Sequence, residues 1–381
     1  MKLAFYMNCV SAHQLPLAKE VAELVGPESF RYIDAGEKSE SAQSAKTQGL
    51  KFKVQRIGDA VAEAATVRGE NAREWLETAD VMLTGMRDLE LFERRAKKGL
   101  RTYYTSERWF KPVTLFDLRL FDCLSSVAVP GWVRMAVPGY RRMVNRFVRW
   151  ANEDPGARVL AIGTWAKKDF LKMGVRAEKI VDWGYFVAPS VTVTTPRSEG
   201  AAGTVKILWC GRMLGLKRVD TIIRAMNEFK VQGLMFKVTL VGDGPERERL
   251  IKLAQRFFSD DVAIKQSNNP ESNNQTIVFL PSRPMEKVRE LMRQHDLFVF
   301  PSNGYEGWGA VVSEALEEGM RVLASHECGA GATLLPRERL FHSGDWKGLA
   351  KLIEKEMRGE LPPCSIGEWT AKAAAKRLMD V

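Results

Sequence analysis

Two glutamates in one short segment are the residues best placed to do chemistry. Residues 301–318 read PSNGYEGWGAVVSEALEE, with Glu306 in a glycine-rich turn and Glu314 in a stretch whose apolar spacing predicts an amphipathic helix. The preceding residues Asp296–Phe300 predict a buried strand. A strand, a glycine loop and a helix N-terminus present a polar ligand at the carboxyl edge of an α/β sheet. The free helix amides attract phosphate and carboxylates suit sugar hydroxyls, so the segment predicts a site for a sugar joined to a phosphate.

Two further motifs follow other predicted strands. The predicted strand Lys206–Cys210 is followed by Gly211 and Arg212, and Lys217 comes five residues after Arg212. Arginine can grip two phosphate oxygens and lysine adds a compact charge. Residues 241–246 read VGDGPE, which lacks the third glycine of a dinucleotide fingerprint. Each motif alone is also compatible with ordinary surface loops, but successive strand ends of one domain are where a ligand is expected.

The elements that position these motifs form two alternating series of strands and helices. In the first half, strands are predicted at Lys2–Met7, Phe30–Ile33, Asp80–Thr84, Arg101–Thr105, Val159–Ile162 and Ile180–Trp183, and helices at Leu15–Val25, Ala60–Leu76 and Leu89–Lys98. In the second half, strands are predicted at Lys206–Cys210, Lys237–Val241, Thr276–Leu280, Asp296–Phe300 and Arg321–Ser325. Residues 188–204 are poor in large apolar groups and predict a linker. Two such series predict an α/β protein with two doubly wound, Rossmann-like domains facing across a cleft.

We expect an N-terminal domain at 1–195, a second domain at 204–365, and a C-terminal helix at 366–381 that packs back on the first domain. The 381 residues and 45% hydrophobic content suit two cores. The sequence has no apolar run that could span a membrane, and its N-terminus predicts a first strand rather than a signal peptide. The five cysteines are scattered, so we expect neither a disulfide framework nor a zinc site. This cysteine usage predicts a protein of a reducing compartment. The net charge of +10 favours anionic partners: nucleotide phosphates, nucleic acid or an anionic membrane face.

In this order, the motifs GR-x4-K, VGDGPE, DLFVFPS and E-x7-E resemble the donor-binding domain of the family 4 retaining glycosyltransferases, over about residues 204–345. The resemblance implies the GT-B fold and a nucleotide-diphosphate sugar as donor. It implies that Arg212 and Lys217 hold the diphosphate and that Glu306 contacts the sugar, these three being the catalytic residues. It places Glu314 on the ribose and Arg283 near the base.

The resemblance also assigns donor contacts to glycines and to main-chain amides, at Gly211, Gly242, Gly307, Trp308 and Gly309. Such enzymes need no metal or other cofactor, because basic groups and a helix dipole stabilise the leaving nucleotide. The absence of a D-x-D pair from the sequence agrees with this implication.

The N-terminal domain departs from the family pattern. Its first loop lacks a glycine pair, and residues 103–110, YYTSERWF, stand where a histidine often occurs. The candidates for the acceptor side are His13, Ser106, Glu107 and Arg108. Glu107 could make a polar contact with the acceptor or act as the base for its hydroxyl, and the alternative is a local ion pair of Glu107 with Arg108. His13 could reach the cleft from the first loop, and the alternative is a structural or helix-capping histidine. The remaining histidines, His295, His326 and His342, have no convincing partner in the sequence.

Residues 109–151 mix bulky apolar groups with arginines. In the predicted helix Gly139–Ala151, one face carries Arg142, Arg146 and Arg149, and the neighbouring face carries Met143, Phe147 and Trp150. Such a helix suits an anionic membrane interface, where it would serve a lipid-linked acceptor. The alternative is a helix that packs on the first sheet with its arginines in water.

The leading hypothesis is a retaining glycosyltransferase that extends a lipid-linked glycan in bacterial surface polysaccharide synthesis. We expect it in the cytoplasm, with a peripheral position at the inner face of the membrane. A GT-B nucleotide-sugar epimerase and a non-catalytic nucleotide-binding protein are the alternatives. The sequence has no signal for a lysine that binds pyridoxal phosphate, which argues against a phosphorylase. It also has no GxGxxG motif after the first strand, which argues against a nicotinamide oxidoreductase. Paired glutamates argue against nucleic acid, because they would repel its backbone.

Overall fold

The computed structural model describes residues 1–11, 13–35, 53–56, 72–111, 113–114, 128–129, 131–190, 204–231, 235–258, 263–265 and 276–381. One compact unit comprises Met1–Ala188 and Glu368–Val381, and the other comprises Pro189–Gly367. Residues 191–203 of the predicted linker and residues 60–71 of the predicted helix Ala60–Leu76 lie outside the described ranges, as does part of the stretch 109–151.

The first unit is built on a seven-stranded parallel sheet. Its strands are β1 (Leu3–Met7), β2 (Phe30–Asp34), β3 (Lys53–Arg56), β4 (Val81–Thr84), β5 (Arg101–Ser106), β8 (Ala157–Ile162) and β9 (Ile180–Trp183). They lie in the order β3-β2-β1-β4-β5-β8-β9, and β6 (Val113–Thr114) and β7 (Ala128–Val129) form a separate antiparallel pair. Its helices are Leu15–Val25, Ala72–Thr78, Leu89–Lys97, Pro138–Glu153, Thr164–Met173 and Ala371–Asp380. Every residue of β1 is buried, as expected for a central strand covered by helices on both faces.

The second unit repeats this architecture. Its strands are β10 (Thr204–Cys210), β11 (Met235–Val241), β12 (Ala263–Lys265), β13 (Thr276–Leu280), β14 (Leu297–Phe300), β15 (Arg321–Ser325) and β16 (Leu340–Phe341). They pair in parallel in the order β12-β13-β11-β10-β14-β15-β16. Its helices are Asp220–Val231, Arg247–Phe257, Met285–Gln294, Ala310–Glu317, Gly329–Leu334 and Trp346–Met357. The chain leaves β10 toward β11 on one side and later returns to its other side at β14, so the strand order reverses between β10 and β14.

The helix Pro138–Glu153 packs its aromatic face into the first unit. Phe147 and Trp150 are buried, and the Trp150 ring lies 4.6 Å from that of Phe92, centroid to centroid. On the outer face, Arg146 makes two hydrogen bonds of 2.6 Å to the carboxylate of Glu93. The packing interpretation of this helix is therefore confirmed. The membrane interpretation is wrong for Phe147 and Trp150, because the core already covers both rings.

A buried arginine connects strand β5 of the first sheet to the neighbouring helical segments. Arg95 is fully buried, and its guanidinium donates to the carbonyl oxygens of Leu76 (2.6 Å), Ala79 (2.8 Å) and Arg101 (2.8 Å) and to the hydroxyl of Thr102 (3.0 Å). Burial lowers the pKa of Arg95 to about 10, which leaves the group charged at neutral pH. These hydrogen bonds compensate the cost of removing a cation from water.

The last helix of the chain, Ala371–Asp380, belongs to the first unit and contacts the helix Leu15–Val25. Trp369, just before it, stacks on Phe186 with ring centroids 6.4 Å apart. Arg377 donates to the carbonyl oxygen of Asp182 at 3.4 Å. Over the part of the chain that the structure describes, no helix combines the length and the apolar character needed to cross a bilayer.

Candidate functional site

Three loops leave the second sheet at the point where its strand order reverses. The loops after β10 and β11 pack main chain against main chain. A Cβ on Gly242 would lie 1.9 Å from the carbonyl oxygen of Gly211, and one on Gly244 would lie 2.4 Å from that of Met213. The amide of Met213 also donates to the carbonyl oxygen of Asp243 at 2.8 Å. Only glycine permits such close approach, which explains Gly242 and Gly244 of VGDGPE.

The loops after β10 and β14 meet in an ion pair. Lys217 Nζ donates to Glu306 Oε2, and only 17% and 15% of the two side chains are exposed. The amide of Asn303 donates to the carbonyl oxygen of Leu216 at 2.8 Å, which holds the two loops together. Lys217 Nζ also lies 5.1 Å from the centroid of the Phe300 ring. A mostly desolvated cation and carboxylate therefore stand together at the switch point of the sheet, where open α/β sheets bind ligands.

Two arginines carry positive charge at the same edge. Arg212 is exposed, and its guanidinium has no hydrogen-bond or ion-pair partner among the residues described. Arg283 is exposed in the segment that follows β13. Between them, the Asp243 carboxylate accepts from the amide of Ser282 at 2.7 Å, and hydrogen bonding from Ser282 lowers the pKa of Asp243. The charge of Arg212 is thus available to an anionic ligand.

Glu314 lies in the helix Ala310–Glu317 and is 6% exposed. No hydrogen bond to its carboxylate is found within the described ranges. Burial raises the pKa of Glu314, and the nearby charge of Arg289 opposes that rise. The thiol of Cys210, the last residue of β10, has its pKa raised by burial and by the Glu314 charge. Glu314 is therefore an unsatisfied acceptor beside the end of β10, where a ligand hydroxyl would find it.

Tight glycine packing fixes the start of this helix. Gly309 has φ 86°, and a Cβ there would lie 2.6 Å from the Phe300 ring. A Cβ on Gly329 would lie 2.2 Å from the carbonyl oxygen of Gly307. The side chain of Trp308 is buried, with its indole donating to Ser313 at 3.2 Å. Only the main chain of Trp308 is thus available to a ligand.

The first unit has a cavity of about 500 Å³ at the carboxyl ends of its strands. All four residues predicted for the acceptor side line it: His13, Ser106, Glu107 and Arg108. The sequence reasoning missed other polar residues that line the cavity, among them Arg87, Lys111 and Tyr185. Arg87 follows β4 and Tyr185 follows β9, so a systematic survey of strand ends would have found them.

Glu107 and Arg108 each have an ion-pair partner outside the dipeptide. Lys111 Nζ lies 2.5 Å from Glu107 Oε2, and the Tyr185 hydroxyl donates to Glu107 Oε1 at 3.1 Å. Arg108 Nε lies 3.7 Å from an oxygen of Asp169. The His13 ring stacks on Tyr185 with centroids 5.7 Å apart. Glu107 is therefore held as an oriented carboxylate in the cavity wall.

The expectation that the other histidines lack partners is wrong. His295 is buried, with Nε2 2.8 Å from the hydroxyl of Thr239 and Nδ1 2.7 Å from the carbonyl oxygen of Leu291. Burial lowers the pKa of His295 and favours its neutral form. His326 and His342 lie close to Glu327, with one nitrogen or oxygen atom of each residue within 4.8 Å of the other two. Thr239 is distant in sequence from His295, and Glu327 from His342, so no local pattern could have revealed these two contacts.

Two doubly wound parallel units, the second with a polar cluster at its switch point, define a protein of the GT-B class. The chain is similar to the apo form of the lipopolysaccharide outer core galactosyltransferase WaaB, with a TM-score of 0.66, 13% identity, and coverage of 100% of this chain and 98% of that one. It is also similar to Anabaena Alr3699/HepE in complex with UDP-glucose, with a TM-score of 0.56, 15% identity, and coverage of 99% and 95%. These likenesses confirm the predicted GT-B fold.

Residues 195–368 match the family model of the glycosyl transferases group 1, which confirms the resemblance predicted from the motifs of the second domain. A curated relative, WcaL of Escherichia coli (strain K12), is named as a candidate glycosyltransferase of colanic acid biosynthesis. It is 28% identical over 217 residues, which are 56% of this chain and 44% of the relative. The match thus spans less than half of the relative's length.

Proposed function

We propose that the chain is a retaining glycosyltransferase that moves a sugar from a nucleotide-diphosphate sugar to an acceptor hydroxyl. The observation that carries the proposal is the Lys217–Glu306 pair at the switch point of the second sheet, beside the unpartnered charge of Arg212. The match of residues 195–368 to the glycosyl transferases group 1 supports the same conclusion. We assign donor binding to the second unit and acceptor binding to the first.

Donor binding would satisfy each group of the second site. Arg212 and the first amides of the helix Ala310–Glu317 bind the diphosphate. Sugar hydroxyls donate to Glu306 and replace its ion pair with Lys217. Lys217 then stabilises the negative charge that develops on the leaving diphosphate. The ribose hydroxyls donate to the buried carboxylate of Glu314, and Arg283 contacts the base. Charge stabilisation by these groups needs no metal ion at the phosphates.

Acceptor binding would use the cavity of the first unit. Glu107 is oriented there by Lys111 and Tyr185, which supports a role as the base that accepts a proton from the attacking hydroxyl. Arg87 and Arg108 line the same cavity and favour an acceptor that carries negative charge. A glycan joined through phosphate to a lipid has this chemistry.

The names of similar proteins point to surface polysaccharides, since one relative is named for colanic acid biosynthesis and one structural neighbour for the lipopolysaccharide outer core. An exposed apolar patch gives a lipid-linked acceptor further support. Trp132 is 51% exposed and Val137 is 57% exposed, and Lys172 Nζ lies 5.9 Å from the Trp132 ring centroid. Apolar tips beside basic groups suit an anionic bilayer surface, so we place the enzyme peripherally at the inner face of the membrane.

A product assay tests the transfer. Purified chain is incubated with a panel of nucleotide sugars and a lipid-linked glycan fraction, and the product linkage is assigned by NMR. We expect one donor to react with retention at the anomeric carbon. Glu306→Ala and Lys217→Ala should each lower the rate by about 10- to 150-fold, because each removes a charge-assisted hydrogen bond worth about 1.5–3 kcal/mol. The control Lys237→Ala, near the opposite end of β11, should keep the wild-type rate. Full turnover in Glu306→Ala would overturn the assignment.

Vesicle co-sedimentation tests the peripheral position separately. Binding to phosphatidylglycerol vesicles should be strong at low salt and fall as salt rises, because counterions screen the basic groups. Trp132→Ser should weaken binding, whereas Trp369→Ser, which changes a tryptophan stacked on Phe186, should weaken it less. Absence of binding to anionic vesicles at low salt would remove the membrane assignment but leave the transfer activity open to its own test.

A further inference from the structure

We propose that His326, Glu327 and His342 form a binding site for one divalent transition-metal ion, of which Zn²⁺ is the best match. Each residue offers one ligand atom, and these three atoms all lie within 4.8 Å of one another. Two imidazoles and one carboxylate form a common zinc ligand set, in which an ion with three protein ligands keeps a fourth position for water.

The sheet itself brings the three ligands together. His326 and Glu327 directly follow β15, and His342 directly follows the neighbouring strand β16. The amide of His326 donates to the carbonyl oxygen of Phe341 at 2.8 Å, which extends the strand pairing up to the cluster. The main-chain spacing of the ligands is therefore set by the sheet rather than by a long loop, as a preorganised site requires.

A second layer of hydrogen bonds orients the carboxylate. Glu327 Oε2 accepts from the amide of Ser343 at 2.9 Å, while Oε1 lies 3.0 Å from Nδ1 of His342. The hydroxyl of Ser343 in turn donates to the carbonyl oxygen of Pro301 at 3.0 Å. Outer-shell contacts of this kind fix the direction of metal ligands and are typical of such sites.

The ligand atoms need only a small adjustment. Metal–nitrogen and metal–oxygen distances near 2.1 Å place two ligands of a tetrahedral ion about 3.4 Å apart. The three atoms already lie within 4.8 Å, and His342 is exposed, so rotation of side chains can close the site and an ion can enter from solvent. A simple Glu327–His342 hydrogen bond is the competing interpretation, in which His326 plays no part.

The cluster is separate from the proposed donor residues but connected to them. Gly329 follows Glu327 by two residues and packs against the carbonyl oxygen of Gly307. A bound ion would therefore brace the segment that supports the loop of Glu306. The metal inference does not depend on the proposed glycosyl transfer, because ion binding is measured without any sugar donor.

The test uses the untagged full chain after removal of metals with a chelator. Calorimetric titration with Zn²⁺ should show one equivalent bound, and Co²⁺ should give the intense visible bands of a four-coordinate site with nitrogen and oxygen ligands. His326→Ala, Glu327→Ala and His342→Ala should each weaken Zn²⁺ binding by more than the roughly 10- to 100-fold that loss of an outer-shell contact costs. His13→Ala removes an exposed histidine of the other unit and should leave the affinity unchanged.

Three results would overturn the inference. The first is no saturable Zn²⁺ binding by the folded wild-type chain. The second is equal affinity in His326→Ala, which would leave only the Glu327–His342 hydrogen bond. The third is a cobalt spectrum with sulfur charge-transfer bands, which would place the ion on a cysteine such as Cys9 or Cys364. Circular dichroism of each variant separates the loss of a ligand from the loss of the fold.

Discussion

Replacing Glu314 with glutamine should stabilise the protein and weaken donor binding at the same time. Glu314 as a residue is 6% exposed, and its carboxylate has no hydrogen-bond donor among the described residues, so its burial is a cost to the unliganded fold. We propose that nucleotide ribose hydroxyls satisfy it. Glutamine has nearly the same shape and carries no charge, so Glu314→Gln removes the cost of burying a charge together with the best acceptor for those hydroxyls.

The expected gain in stability is about 1–3 kcal/mol for relief of an unsatisfied buried group, and we expect the lower end because the Arg289 charge already offsets part of the cost. In a domain of about 150–250 residues, 1 kcal/mol corresponds to a rise of about 2–4 °C in Tm. Donor affinity should fall by about 10-fold or more, because a hydrogen bond to a charged acceptor is worth about 1.5–3 kcal/mol.

The gain should also depend on pH. Burial raises the pKa of folded Glu314 above the ordinary 4.5, so the folded state favours the protonated form. Below pH 4.5 both folded and unfolded chains carry a protonated group, and the wild type loses nothing. As pH rises through the folded pKa, the wild type loses stability that Glu314→Gln retains. The difference in Tm should therefore be small at pH 4.5 and full at pH 7.5.

Thermal unfolding of both proteins at pH 4.5 and 7.5, with calorimetric titration of the donor at pH 7.5, measures these effects. Glu228→Gln is the matched control, since Glu228 lies in the helix Asp220–Val231, is partly exposed and has no ion-pair partner among the described residues. The control should change neither Tm nor donor affinity appreciably. A Glu314→Gln protein that is less stable at pH 7.5, with wild-type donor affinity, would refute the reasoning.

Three other substitutions probe the fold and the acceptor cavity. Gly242→Ala should lower the free energy of unfolding, measured by urea denaturation, by about 1–3 kcal/mol, because the new Cβ would lie 1.9 Å from main-chain atoms. A Cβ on Gly215 meets nothing within 4 Å, so the control Gly215→Ala should be tolerated. Equal stability of the two variants would contradict the packing described. Arg95→Met should cost about 3–5 kcal/mol by leaving buried carbonyl groups unsatisfied, while Arg94→Met, at an exposed position, should have little effect on the urea midpoint. Glu107→Gln should lower the rate of transfer without changing donor affinity, and an unchanged rate would exclude Glu107 as the base.

Much of the fold could be predicted because parallel strands covered on both faces appear as continuous apolar runs. The segment Thr276–Leu280, which reads TIVFL, is an example, and the structure gives this strand the predicted bounds. The family resemblance likewise rested on short motifs that follow such strands. The helix Pro138–Glu153 was ambiguous, because the same amphipathic pattern serves a membrane surface and a sheet face equally well.

The side-chain partners could not be predicted in the same way. Lys217 and Glu306 meet only because β10 and β14 are neighbours in the sheet, although their loops are far apart in sequence. The same holds for Tyr185, which reaches Glu107 from the end of β9. His326 and His342 come together through the pairing of β15 with β16. Each depends on strand order, which composition and periodicity do not determine.

Calorimetric titration of Arg212 variants with nucleotide sugars tests the central claim most directly. The wild type and Lys237→Ala should each bind one equivalent of a nucleotide sugar with the same affinity. Arg212→Ala should bind the same ligand about 10- to 150-fold more weakly while unfolding at the wild-type temperature, because Arg212 is exposed and contributes charge rather than packing. Wild-type affinity in Arg212→Ala, or no binding of any nucleotide sugar to the folded wild type, would contradict the assignment of this sheet edge as a donor site.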